Sequence, residues 1–191
     1  MGTVVSGFVN AGRISVGQKV FIGPVHKQHS KNGNVGGSFI ETQIKSAHIA
    51  RTHVKSVVAG NNACFALALS KADRKLIRGG MVLIEHEAEA SACFEADMVI
   101  LKGSGVDGTT IRKNYETMTH ILHMKQCARV EKIELLENSN RFGSMGGNGS
   151  VAHDSEGSSN ENVVVRPGSR AKMTFRFKMR REYIRPGMRI L

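Results

Sequence analysis

Apolar and polar side chains alternate along this chain with a period of two, in short stretches broken about every ten residues by glycine-bearing turns. A strand turns successive side chains to opposite faces, so this is the pattern of an all-β chain. Helical periodicity is nearly absent. Residues 3–9 predict a strand, Asn10-Ala11-Gly12 its turn, and residues 18–22 a partner strand entered through Val16-Gly17. Residues 43–57 alternate loosely and predict two strands or one bent strand. Ala59-Gly60-Asn61 then turns the chain into a strand at 63–69, and Arg78-Gly79-Gly80 introduces one at 81–84. Residues 26–38, rich in Gly, Asn, Ser, Lys and His, predict a loop insertion with too little apolar surface to order itself.

The acidic, Ala-rich stretch 85–91 predicts a helical turn or a linker. It divides the chain into a first domain at 1–89 and a second at 90–191. In the second, strands are expected at 93–101, 118–124, 130–136 and 170–179, with a low-complexity insertion at 138–162 built mainly from Gly, Ser and Asn. The cleanest alternation is at 171–180. Ala171, Met173, Phe175, Phe177 and Met179 form one face, while Lys172, Thr174, Arg176, Lys178 and Arg180 form the other. The first face predicts core. On the second, cations two residues apart stand ~6.8 Å from one another, close to the phosphate spacing of an RNA strand. Lys172, Arg176, Lys178 and Arg180 are therefore candidate RNA phosphate contacts, with a solvated charged face as the alternative.

Charge sharpens this picture. The net charge is +11 over 191 residues, and residues 166–191 hold 9 basic side chains against 1 acidic. Residues 1–90 hold 11 and 5, and residues 91–165 hold 7 and 10. A terminal stretch so basic fits a polyanionic partner. Cys64, Cys93 and Cys127 are isolated and odd in number, which points to a reducing cytoplasm and to neither disulfides nor a thiolate metal site. No apolar run approaches the ~20 residues of a spanning helix, so no membrane partner is expected. No secretory leader pattern precedes the first strand. Met1-Gly2-x-x-x-Ser6 matches a myristoylation pattern formally, but Gly2 opens a β-type run rather than a flexible arm.

No catalytic constellation is expected from the sequence. Gly103-x-x-x-x-Gly108-Thr109-Thr110 has the glycine spacing of a phosphate loop but lacks the Lys that reaches the β and γ phosphates, and reads better as a hairpin connection. His120-x-x-His123-x-x-x-Cys127 would gather metal ligands on a helix. In a strand the two histidines point to opposite faces, so no metal site is expected. There is no Gly-x-Ser-x-Gly elbow and no His-Glu-x-x-His pair. Glu95 and Asp97, two apart on a strand, suit surface solvation as well as acid–base work.

Gly2-Thr3-Val4-Val5-Ser6-Gly7, followed by Gly12-Arg13-Ile14-Ser15-Val16-Gly17-Gln18-Lys19-Val20, resembles the opening of domain II of elongation factor Tu and its relatives. Ile44-Lys45-Ser46-Ala47-His48, Ala59-Gly60-Asn61-Asn62-Ala63 and Ile77-Arg78-Gly79-Gly80-Met81-Val82-Leu83 follow in that domain's order. Phe94-Glu95-Ala96-Asp97-Met98 resembles the entry to domain III. His120, Lys125-Gln126-x-Ala128 and Arg166-Pro167-Gly168 are most similar to the eukaryotic GTP-binding protein one and two branch.

The resemblance implies two antiparallel Greek-key β-barrels, each truncated at an outer end, one strand lying before Gly2 and another after Leu191. It also implies an upstream GTPase domain that would hold GTP and Mg²⁺, leaving this chain without a cofactor or catalytic residue of its own. The family's cleft for the aminoacylated 3′ end of tRNA maps onto Thr3, Val4, Ser6, Asn62 and Ala63, and the acidic residues that flank it would fall before Met1. These five residues otherwise complete a barrel wall. The implied partners are tRNA or another RNA, the chain's own GTPase domain, and the ribosome or RNA-decay machinery. A protein-docking module that does not grip tRNA is the alternative.

Overall fold

The computed structural model describes residues 3–26, 36–101, 110–122, 124–136 and 163–191. Most of the two expected insertions, the Gly103–Gly108 spacing and His123 therefore lie outside the described residues. The chain divides into two compact units. One comprises Met1–Ala92, His120–Lys125 and Met179–Leu191, and the other Cys93–Thr119 and Gln126–Lys178.

The first unit contains β1 (Thr3–Phe8), β2 (Arg13–Ser15), β3 (Lys19–Val25), β4 (Ser38–Ile49), β5 (Thr52–Val54), β6 (Ser56–Val58), β7 (Asn62–Leu67), a one-turn helix α1 (Lys71–Arg74) and β8 (Val82–Ile84). Its main sheet runs β1-β7-β4-β3-β8 with every neighbour antiparallel. β5 folds back on β4, and β2 pairs with β6. Gly12, Gly17 and Gly60 sit in three of the predicted turns at φ 74°, 87° and 92°, a region that only glycine enters without steric cost. The inward side chains of β3, β4, β6 and β7, among them Val20, Ile22, Ile44, Ala47, Val57, Phe65 and Leu67, make one core cluster.

The loosely alternating stretch 43–57 is three strands. A β-bulge between Ile44 and Ser46 shifts the register of β4 against β7, which blurs the period-two pattern. Helix α1 has no counterpart in the sequence reading, because four residues are too few to show a helical period. It is started by Ser70, whose Oγ accepts from the Asp73 amide.

A segment far along the chain completes this unit. Ser91 and Glu182 exchange backbone hydrogen bonds of 2.9 and 3.0 Å, and His120 and Leu191 exchange bonds of 2.7 and 3.0 Å. The Glu182 side chain is 2% exposed, and Arg78 Nη2 donates to both of its oxygens at 2.9 and 3.0 Å.

The second unit is built on β9 (Cys93–Val99), β10 (Glu116–Ile121), β11 (Met124–Leu135) and β12 (Arg170–Phe177), in the order β10-β11-β12-β9. The tip of the β10–β11 hairpin groups with the first unit. The single strand expected at 118–124 is broken at Leu122, whose φ of 53° reverses the chain into that hairpin. β12 is antiparallel to both neighbours and is the central strand the alternation predicted, with Ala171, Met173, Phe175 and Phe177 all buried. The alternation stops sooner than the sequence suggests. Met179, expected on the core face, is 70% exposed. The register with β11 ends at Phe177, with one further backbone bond from the Lys178 amide to the Cys127 carbonyl at 3.0 Å before Met179.

Candidate nucleic-acid interface

The outer face of the first unit is built by strand register. Ser6 of β1 lies opposite Cys64 of β7, Cys64 opposite His48 of β4, and His48 opposite His53 of β5, so one row crosses four strands. Ser6, Cys64 and His53 are exposed and His48 is half-buried, while Ala47, Ala63 and Phe65 beside them turn into the core. The row borders an open cleft of about 470 Å³, lined by Ser6, Gly7, His48, Ala50, Arg51, Asn62, Ala63 and Cys64. Among the described residues no carboxylate lines it. Hydroxyl, amide, thiol and imidazole groups around small apolar walls suit an unstacked base or a small side chain.

Three of the five residues expected at a 3′-end pocket therefore meet here. Ser6 and Asn62 are exposed at the cleft, and Ala63, 4% exposed, is a core residue that also borders it. Thr3 and Val4 lie further along β1, opposite Leu67 and Ala66, and do not line it. Sequence reasoning missed His48, Arg51 and Cys64. The visible signal was parity along each strand, but joining the strands into one row needs their register.

The loop between β4 and β5 shapes one end of the cleft. Ala50 and Arg51 are its two residues, at φ 47° and 70°. Both lie in the left-handed region that a tight hairpin of this kind demands and that Asn-Gly fills at least cost. Side chains with a Cβ cost roughly 1–2 kcal/mol each there. Behind the loop, the His48 and His53 rings meet edge to face at 5.2 Å and 89°.

The cationic face of β12 has a different character. Arg176 donates to Glu131, and Lys178 Nζ stands 2.6 Å from Glu116, which Arg129 also holds at 3.0 Å. Lys132 and Glu134 pair at 2.5 Å, and Lys172 has Asp97 and Glu134 as its cross-strand neighbours. The hydrogen bond from Lys178, and after it that from Arg129, holds the Glu116 carboxyl below its ordinary range. Arg180 lies past the end of β12 and groups with the first unit. The four expected phosphate contacts thus do not form one bare cationic stripe. Three stand in a lattice of alternating charge, and the fourth is elsewhere.

Residues 2–84 match the family Elongation factor Tu domain 2. The chain is 28% identical over its whole length to GTP-binding protein 2 of Mus musculus and equally to that of Homo sapiens. It is 34% identical over 132 residues to GTP-binding protein 1 of Xenopus laevis, a match covering 68% of the chain. This is an elongation factor Tu-like domain II and III chain of the GTP-binding protein 1 and 2 branch. It spans about a quarter of the length of the GTP-binding protein 2 relatives, and the match to GTP-binding protein 1 covers 18% of that protein. In this elongation factor Tu-like chain the matched domain 2 region holds both the cleft and the β4–β5 loop.

Proposed function

We infer that the first barrel receives the aminoacylated 3′ end of tRNA, or the 3′ end of another RNA, as the RNA-binding part of a GTP-binding protein acting in translation or RNA quality control. The cytoplasm is the compartment this role requires. GTP and Mg²⁺ belong in this reading to a separate upstream GTPase domain, and the chain itself performs no chemistry. The observation that carries it is the cleft: Ser6 and Asn62 meet on an exposed sheet face beside His48 and Arg51, and among the described residues no acidic side chain lines it to repel a polyanion. The chain should bind aminoacylated tRNA at least about fivefold more tightly than the same tRNA deacylated, a difference of about 1 kcal/mol. Fluorescence anisotropy with both forms measures it. Equal affinities would remove the 3′-end assignment.

The lattice of paired charges on β11 and β12 favours a second reading for the other unit. A face that neutralises its own cations offers little to phosphates but can exchange its ion pairs with a protein surface, so that unit docks a ribosomal or RNA-decay partner.

A further inference from the structure

Helix α1 stands on the surface of the first unit with none of its four residues buried, and a single turn is too short to hold itself by propensity. Its own cap fixes it. Ser70 Oγ accepts from the Asp73 amide at 3.1 Å and donates to Asp73 Oδ2 at 2.7 Å, and the Arg74 amide donates to the Ser70 carbonyl at 3.1 Å. Leu69, 7% exposed, anchors the turn on one side, and Ile77, packed against the core cluster, anchors it on the other. Lys75 continues the turn at φ −69° and ψ −18°. At about 100° per residue, Lys71, Arg74 and Lys75 share one side of it while Asp73 lies on the opposite side. All three cations are exposed, and among the described residues none of them enters an ion pair. Like charges three and four positions apart repel, so the fold presents this patch at a cost to its own stability.

We propose that the α1 turn is a docking element for an acidic protein segment that sets carboxylates beside an apolar side chain. Lys71, Arg74 and Lys75 supply the complementary charge, which steers such a segment and fixes its register. Exposed Ala72 and half-buried Leu76 supply a small apolar surface next to them. A peptide uses both features, whereas a sugar–phosphate backbone uses only the charge. Residues 70–78 also hold no aromatic or imidazole ring on which a base could stack. The element is separate from the cleft: α1 follows the Leu67 end of β7, while the cleft borders its Asn62–Cys64 end, roughly 17 Å away at ~3.4 Å per residue. The docking role therefore does not rest on the RNA-end reading above.

Lys71→Gln, Arg74→Gln and Lys75→Gln together remove the patch without touching a buried group and relieve its repulsion, so this variant should melt no lower than the parent. The probe is a fluorescein-labelled peptide of Glu and Leu, about twelve residues long, read by anisotropy against the intact chain. The parent should bind it, more weakly as salt rises. The patch variant should bind at least about fivefold more weakly, the loss of two or three modest ion pairs. Lys113→Gln, Lys125→Gln and Arg189→Gln take the same three charges from exposed positions elsewhere and should leave the affinity within about twofold. A parent that ignores the peptide, a patch variant that binds it as well as the parent, or a control variant that loses as much overturns the docking site. A single-stranded RNA of about ten nucleotides that loses as much affinity to the patch variant as the peptide does also overturns it, and gives the turn to RNA.

Discussion

Replacing Phe175 by Ala should cost the second unit about 3–5 kcal/mol, the range for truncating a fully buried aromatic ring. Phe175 is 2% exposed at the middle of β12, and its cross-strand partner is Phe94. The two rings stack with centroids 5.2 Å apart, and Phe177 packs on Phe94 at 5.0 Å. Removing the central ring therefore leaves a cavity between groups fixed by the sheet ladder, which cannot collapse to fill it. Met179→Ala, four residues on and 70% exposed, should change stability by less than about 0.5 kcal/mol. Urea unfolding of both variants compares them. A Phe175→Ala loss below about 1 kcal/mol would mean the ring is not core.

Arg78→Ala should be as damaging to the first unit, by about 3–5 kcal/mol, because it strands the Glu182 carboxylate in a nearly closed site. The pair's worth is not its attraction alone. Replacing Arg78 and Glu182 together with apolar residues of similar size should be close to neutral, since the desolvation cost of both charges disappears with them. Burial pushes the Glu182 carboxyl above its ordinary 4.5, opposed by the hydrogen bonds from Arg78. Only between the unfolded and folded values does the folded chain hold a proton there that the unfolded chain has released. That contribution is complete below the unfolded value and is lost as pH rises through the folded one. The Arg78→Ala deficit should accordingly shrink as pH is lowered and the stranded carboxylate takes up a proton. Chemical denaturation of the single and double variants at two pH values reads all of this. A double variant as unstable as Arg78→Ala would show that the site needs the charges themselves.

Much of the fold was legible because a strand with one buried face writes its own parity. β1, β7 and β12 were visible in the alternation, and Gly12, Gly17 and Gly60 marked turns that need their positive φ. What escaped depended on register and on distant partners. Between Val130 and Lys132 the β11–β12 ladder skips a residue, so Glu131 is the unpaired extra one, and its carboxylate takes up Arg176. Nothing in local sequence announces that bulge. Without it the cationic face of β12 looks bare, and with it the face is largely self-neutralised. The seat of Glu182 beside Arg78 was equally hidden, because the two are 104 residues apart. The cleft was legible in part. Ser6 and Asn62 follow from the family resemblance, whereas His48, Arg51 and Cys64 join them only once β4 and β7 are in register.

The most direct test of where RNA meets this chain is photo-crosslinking from the RNA's own end. A single-stranded RNA ending in CCA, with an azide on its terminal base, is irradiated with the intact chain, and the adducts are located by peptide mass spectrometry. Adducts are expected on Ser6, His48, Asn62 or Cys64 of the first unit. Adducts concentrated on Lys172, Arg176 or Lys178, with the first barrel unlabelled, would contradict that placement.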